Sequence, residues 1–471
     1  VSLVQRGVQA DPATKTYRVA AGTRWETVVR ELDKIGFSPA VMQSNNDFGV
    51  GSTFCVNAHG WPVPFSGCGS TVRSIKMMVA DTTIQTCSRT ENAELFRHAM
   101  GGYGLFGVIT ELELDMVPNS RLVPTFEPMP GKDIGLHFAK VLKEDPSIQM
   151  AYGRLDVALD RFFDAGMLIT YRPTADQTNI PAASGSGIIS YASREIFRAQ
   201  VESDRAKHFR WWIETGIGPM VSGGETTRNS LINEPVITLA DRDDTRTDIL
   251  HEYFVPADKF ADFIQACKDI IPASYQQLLN VTVRYVAADG DSILAYAPEP
   301  RIASVFLFSQ EKSQRAETDM ARMTHQLIER VLALGGAYYL PYRPHATIDQ
   351  LTRSYPRRSS VRWTRISCSA TCSGIAISQN SEGYSMNRLR LIAFGYFAIL
   401  LFAASLNYLP FIPVVDGKTF GIFALDIYDD GLHLASALWA GTAAVLGAKA
   451  SRAFLLYFGI LYFADGLLGL I

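Results

Sequence analysis

Three clusters of small residues lie within one stretch, Asn45 to Asn119, and they restrict the possible folds more than any other feature. The first runs from Gly51-Ser52-Thr53 to Gly60, and the second is Ser66-Gly67-Cys68-Gly69-Ser70. The third, Gly101-Gly102-Tyr103-Gly104-Leu105-Phe106-Gly107-Val108-Ile109, leads into an alternating strand. Where no Cβ blocks the approach, backbone N–H groups come close to a flat ring or a pyrophosphate. Neither of the first two clusters spells G-x-G-x-x-G opening a helix after a strand, so a nicotinamide-type Rossmann site is disfavoured. Any one cluster alone is also explained as a Gly-rich turn.

Taken in order the clusters say more. They spell V-G-x-x-x-x-x-N-A-H-G, then S-G-x-G-S-x-V-R-S, then A-D-x-x-I, then A-E-L-F-x-x-x-x-G-G-x-G-L-x-G-V-I-T. This order resembles the FAD-binding domain of PCMH-type flavoproteins in the vanillyl-alcohol oxidase superfamily. The resemblance runs from about Val8 to Arg357 and is nearest to the aldonolactone oxidases, decaprenylphosphoryl-ribose oxidase and the delta-24 sterol reductases. It implies FAD as cofactor. Gly51, Ser52, Asn57, His59 and Gly60 should line the flavin and its phosphates, as should Ser66, Gly67 and Ser70. Gly107, Val108 and Ile109 should meet the adenine or ribose side. His59 reads first as a structural hydrogen-bonding residue beside the cofactor, with catalysis the alternative. Many members carry a flavin-linked histidine in a first lobe that cradles the pyrophosphate. Here the first histidine is His59 at the N-A-H-G position, so the expectation is non-covalent FAD and a first lobe absent from this sequence.

A chain of 471 residues is long enough for two or three domains. Its 44 basic and 47 acidic residues nearly balance, which gives no argument for a nucleic-acid partner. The six cysteines (Cys55, Cys68, Cys87, Cys267, Cys368 and Cys372) form no C-x-x-C pair and no Cys/His ligand spacing, so neither zinc nor a disulfide framework is indicated.

The expected fold class is α+β: a partial FAD-binding domain over 1–120, a substrate (cap) domain over 121–357, and then an all-α transmembrane segment. In the first part, Thr23 with Glu26 suggests a capping box for a helix through about Lys34, ended by Gly36. In the second, strand-like runs at Gln149–Asp156, Arg161–Tyr171, Asp248–Val255, Leu278–Val286 and Ala303–Ser309 alternate with helical runs at Ala257–Ile270 and Ala316–Leu334. That mixture suggests an antiparallel sheet with helices on one face. By the resemblance, His251–Pro256 and Leu278–Val286 are strands facing the flavin. His251 and Arg284 are equally read as ordinary sheet-surface residues. Tyr338 to Thr347 lies where family members return a strand end to the flavin's reactive edge. Tyr342, Arg343 and His345 are therefore the candidate catalytic residues. A guanidinium is no base but can hold an anionic substrate or stabilise reduced flavin, whereas a phenol or, more readily, an imidazole can exchange a proton.

Residues 358–385 are Ser- and Arg-rich and break the family pattern. They read as a flexible linker or as an out-of-frame junction between two genes. From 386 to 471 the composition becomes apolar. Leu391–Leu409, Leu432–Ala448 and Ala453–Ile471 are candidate spans, since crossing a bilayer takes about 20 apolar residues. Arg388, Lys449 and Arg452 flank them, which by the positive-inside rule places those ends and the flavin domain on the cytoplasmic side of a multi-pass membrane protein. This region weakly resembles a DUF4383-like family of small membrane proteins.

Two functions follow as expectations. The first is an FAD-dependent oxidoreductase moving a hydride between an alcohol-type carbon and flavin N5, on a small-molecule or lipid-linked substrate. The second is a truncated, catalytically silent flavoprotein fragment joined to a membrane bundle. Substrate, electron acceptor and oligomeric state are not legible at this level.

Overall fold

The computed structural model divides the chain into two units, Val1–Ile366 and Ser367–Ile471. It describes residues 7–185, 195–235, 243 and 245–356 of the first. Of the second it describes 393–398, 400–402, 405, 414–415, 418–419, 427–446 and 450–458. The stretch 358–385 lies outside the described residues.

The first unit is α+β and holds two sheets. The smaller joins β1 (Gln9–Asp11), β2 (Thr16–Ala20), β3 (Phe37–Pro39), β4 (Val72–Met78), β5 (Ile84–Ser88) and β6 (Val108–Pro118). Its order is β1-β2-β6-β4-β5, with β3 also on β6. The helix Trp25–Asp33 packs Trp25, Val28, Val29 and Leu32 into its core. Thr23 does not cap that helix, contrary to the expectation. Arg24 stands at the N-cap without a side-chain bond, and carbonyls of a neighbouring loop do the work instead. Trp25 N–H donates to Phe48 O at 3.0 Å and Glu26 N–H to Asn46 O at 2.7 Å, satisfying donors that helix starts leave free. Gly36 follows with a left-handed φ of +76°.

The larger sheet comprises β7 (Arg121–Pro130), β8 (Met150–Leu155), β9 (Ala165–Pro173), β10 (Thr226–Thr227), β11 (Arg246–Val255), β12 (Gln277–Val286), β13 (Arg301–Glu311) and β14 (Ala337–Tyr338). Its order is β10-β7-β9-β8-β12-β13-β11-β14, and every pairing is antiparallel. The helices Ile134–Glu144, Phe260–Ile270 and Gln314–Ala333 cover one face. Phe138, Phe263, Met323 and Leu327 bury there against Leu168, Val281, Val283 and Phe306. The other face turns Met150, Met167, Ile169 and Tyr171 toward the core of the smaller sheet, so both lobes share one apolar cluster. The sequence runs for β8, β9, β11, β12 and β13 and for two of these helices agree with the structure within a few residues. β7 escaped because Pro124, Pro128 and Pro130 argue against a strand.

The second unit contains the helix Ile427–Leu446, helical segments at 393–398 and 450–458, and a short hairpin pairing Val414–Val415 with Lys418–Thr419. Ala437, Ala440, Ala443 and Ala444 pack with Phe454 and Phe458. The transmembrane expectation is corrected here: among the described residues, no helix is long and apolar enough to cross a membrane. Asp429, Asp430, Gly431 and His433 fall within Ile427–Leu446, leaving an apolar run only from Leu434. At 1.5 Å per residue that run falls well short of a hydrocarbon core of about 30 Å. Much of Leu391–Leu409 and Ala453–Ile471 lies outside the described residues. The multi-pass placement and its cytoplasmic orientation fall with the spans.

Candidate active site

Strand alternation decides which side chains reach the face shared with the smaller sheet. On β12 these are Asn280, Thr282 and Arg284; on β8, Tyr152 and Arg154; on β11, Glu252. The registers Thr282↔Arg154, Thr282↔Val305 and Glu252↔Val305 align them across the sheet. His251, the neighbour of Glu252, faces the opposite layer, among Tyr253, Phe308 and His345. Its Nδ1 shares a hydrogen bond with the Tyr253 hydroxyl at 3.3 Å. Burial, helped by His345 and Arg343, pushes this imidazole down to about 3, so it is neutral.

The chain after the first small-residue cluster meets this face edge-on. Val63 N–H donates to Gln149 O and Ala151 N–H to Trp61 O, both at 3.0 Å, which sets Trp61 against Tyr152 with ring centroids 4.6 Å apart. Upstream, Asn57 adopts a left-handed φ of +46° and spends all its polar atoms on the protein. Its Nδ2 donates to Asp289 at 3.0 Å, its Oδ1 accepts from Gly69 N–H at 2.8 Å, and its carbonyl accepts from the Tyr296 hydroxyl at 2.6 Å. That turn delivers His59 into a nest of Phe254, Tyr296 and Tyr339. There its Nε2–H donates to the Glu252 carboxylate; both side chains are buried. Tyr342 O–H donates to the second Glu252 oxygen at 3.5 Å. Arg284 donates to Ser44 Oγ at 2.6 Å and more weakly to His59 O at 3.4 Å. Burial lowers the Arg284 guanidinium below its ordinary range, opposed by Glu252, and raises the phenols of Tyr339 and Tyr342.

The predicted cofactor residues stand close to one another, but several serve chain-on-chain packing. A Cβ on Gly60 would come 2.0 Å from Met42 O, one on Gly67 2.5 Å from Asn57 Oδ1, and one on Gly51 2.7 Å from Ala21. Gly107, at φ +156°, leaves 2.5 Å to Met78 O. Ser52 and Ser70 hydroxyls donate to Gly49 O and Gly67 O, and Ser66 Oγ accepts from Gly67 N–H. Val108 is exposed and Ile109 buried on β6, opposite Met78 and Met77 of β4. Of the three predicted catalytic residues, Tyr342 joins the His59–Glu252 cluster. Arg343 and His345 instead bind Glu317 on the helix Gln314–Ala333, His345 at 2.9 Å. Glu252, Trp61, Tyr152 and Arg154 were missed. The signal for the last two was present, since A-Y-G-R on β8 puts an aromatic and a cation on one face.

A test of the cofactor follows from atoms left over. Trp61 Nε1, His59 Nδ1 and Arg284 Nε are buried without a hydrogen-bond partner, two donors and one acceptor at the junction of the lobes. Each such orphan costs about 1–3 kcal/mol. A planar ring bearing carbonyls and ring nitrogens answers that demand. Next to Trp61 the sheet face opens into a cavity of about 450 Å³, lined among others by Phe126, Tyr152, Arg154, Ile169, Tyr171 and Glu214.

A lobe of small-residue turns set on an antiparallel sheet whose polar face is turned inward fits an FAD-binding architecture, and the comparisons agree on the cofactor. Residues 1–88 match the family described as FAD binding domain. The chain carries an FAD-binding, PCMH-type domain like that of the vanillyl-alcohol oxidase family, and FAD is its cofactor. It is similar to L-gulonolactone oxidase of Mus musculus, 28% identical over 131 residues, 28% of this chain and 30% of that protein. A putative D-arabinono-1,4-lactone oxidase of Neurospora crassa is 27% identical over 111 residues, 24% of this chain and 20% of that protein. Cytokinin dehydrogenase 9 of Oryza sativa is 28% identical over 124 residues, 26% of this chain and 24% of that protein. The matched stretch thus spans less than a third of each relative's length.

Proposed function

We propose that this protein is an FAD-dependent oxidoreductase acting on an alcohol-type carbon of a small molecule held against the polar sheet face. The observation that carries the reading is the junction of Trp61, His59 and Arg284: three buried, orphaned polar atoms, with Trp61 packed on Tyr152, which lines a ligand-sized cavity. Trp61, His59 and Arg284 would hold the isoalloxazine ring. Bound FAD supplies the hydride acceptor, and the protein supplies position and electrostatics. Arg284, fixed by Ser44, places a positive charge where negative charge develops. Glu252 anchors His59 and receives the Tyr342 O–H, so a proton can pass between Tyr342 and the carboxylate. Among the three sequence-derived candidates, Tyr342 stands nearest this junction. Arg343 and His345 tie the Tyr338–Thr347 loop to Glu317. We take the flavin as held without a covalent link: His59, the histidine of the N-A-H-G motif, is anchored by Glu252 through Nε2 and serves as a hydrogen-bonding residue.

The test is the full-length chain, purified and desalted. It should be yellow, acid precipitation should release the flavin to the supernatant, and an oxidisable alcohol should bleach it anaerobically. Colourless protein after reconstitution with excess FAD refutes the reading. Flavin left on the acid pellet refutes the non-covalent mode.

A further inference from the structure

Both carboxylates in the wall of the sheet-face cavity, Glu214 and Glu225, already have a guanidinium of their own. Glu214 reaches the wall from a wide turn. The helix Asp204–Trp212 runs directly into a π-helical turn, Ile213–Ile217, and such turns re-aim side chains out of helical register. Arg210, one turn earlier, donates to Glu214 Oε1 at 2.6 Å. It also donates to Leu279 O at 2.7 Å and Asn280 Oδ1 at 3.1 Å, so the pair is pinned to β12. Burial alone would raise the Glu214 carboxyl, but Arg210 and Arg154 outweigh it and hold the group below its ordinary range. Glu225 Oε2 accepts from Arg121 Nη1 at 3.2 Å. Asp176, 3.7 Å from the same Arg121 atom, is 61% exposed, so solvent screens it.

Arg154, the one guanidinium in the wall, has no ion pair among the described residues. The register sets it opposite Thr282 on β12, and its Nη1 donates to two neutral oxygens, Asn280 Oδ1 at 2.8 Å and Thr282 Oγ1 at 2.9 Å. Its Nε and Nη2, which share the other edge of the guanidinium, have no acceptor among the described residues, and neither is sealed off. The group lies 5.4 Å over the Tyr152 ring and keeps its proton at any working pH. Burial does most to lower the Arg210 and Arg284 guanidiniums, and Arg154 adds to it as a like charge. A positive charge with a free two-donor edge therefore stands in an aromatic-walled space.

Resting on the proposed function, we propose that this cavity takes a monocarboxylate carried on an apolar or aromatic body, gripped by the free edge of Arg154. Two parallel N–H donors match the two oxygens of a carboxylate. Asn280 and Thr282 fix the guanidinium from its other edge, so the grip is oriented before the ligand arrives. Phe126, Tyr152, Tyr171, Met167, Ile169 and Leu231 supply the surface for the apolar body. A dianion such as a phosphate ester would leave one negative charge unanswered near the ionised Glu214, so a single carboxylate is the better fit.

Three probes of one shape test this: 2-naphthoate, its uncharged amide and 2-naphthyl phosphate, titrated calorimetrically into the full-length chain. The carboxylate should bind at least tenfold more tightly than the amide and more tightly than the phosphate ester. Arg154→Gln should bring carboxylate and amide to within threefold of each other, at parental flavin content. Equal affinities for carboxylate and amide in the parent, binding of neither, a tighter phosphate ester, or an unchanged gap in the variant overturns the assignment. Flavin lost from a folded Arg154→Gln protein overturns it too, since Arg154 then serves the cofactor. The parent series decides the matter if the variant proves misfolded by circular dichroism. Flavin absorbance on the same samples separates the two proposals. Yellow protein that takes carboxylate and amide alike sinks only the carboxylate assignment. Colourless protein that prefers the carboxylate sinks only the oxidoreductase reading.

Discussion

Replacing Asn57 by alanine should destabilise the first unit more than any surface change. The side chain makes a hydrogen bond to the buried Asp289 and satisfies the buried Gly69 N–H. Losing a bond to a charged group costs about 1.5–3 kcal/mol, and an orphaned buried N–H about 1–3 kcal/mol. Asp289 keeps the Ser292 hydroxyl and two backbone N–H groups, which limits the damage on its side. The sum for Asn57→Ala is about 3–5 kcal/mol, including a left-handed residue that alanine tolerates worse than glycine by about 1 kcal/mol. Asn57→Gly removes the same hydrogen bonds without that strain, so it should stand about 1 kcal/mol above Asn57→Ala. Urea unfolding followed by tryptophan fluorescence and by circular dichroism measures both, with coincidence of the two curves as the check on a single transition. An Asn57→Ala protein within about 1 kcal/mol of the parent, or a glycine variant less stable than the alanine one, refutes the reasoning.

Two further outcomes are expected. His251 is held neutral down to about 3 when folded, whereas an unfolded histidine takes up its proton near 6.5, so stability should fall as pH drops through that interval. The slope is up to about 1.4 kcal/mol per pH unit, and His251→Phe should flatten the acid limb of a plot of melting temperature against pH. In flavin-loaded protein, Tyr342→Phe should slow stopped-flow reduction of the flavin by substrate while leaving its spectrum intact. His345→Ala should reduce at the parental rate, since its imidazole is bound to Glu317 away from Glu252.

The strands of the larger sheet were legible because their alternation is regular and their flanks carry turn residues. Which face each strand turns to the smaller sheet was not legible. His251 and Glu252 are adjacent, and only the pairing of β11 with β13 decides that Glu252 meets His59 while His251 goes under the helices. The glycine clusters pointed correctly to the cofactor family, yet the physical reason differs in part. Gly60 and Gly67 are small because Met42 and Asn57 lie against them. Glu214 carried no sequence signal, since a π-turn depends on what the helix packs against rather than on a motif. The membrane reading of Leu432–Ala448 failed because the helix there, Ile427–Leu446, takes in Asp429, Asp430 and His433 and keeps only a short apolar run after them.

The prolines of β7 bear on how this protein meets other chains. Its pairing with β9 runs without a bulge from Leu122 to Pro130, so Pro124, Pro128 and Pro130 share one parity and one edge. None has an N–H to offer β9, so that edge must be the outer one, where β10 pairs only with Arg121 and Leu122. An incoming extended segment would find carbonyls there at every second residue, and Phe126 as the only donor between the first and last of those prolines. Strand-to-strand polymerisation through this border is therefore blocked by covalent structure, and it stays blocked in partly unfolded molecules that keep the sheet.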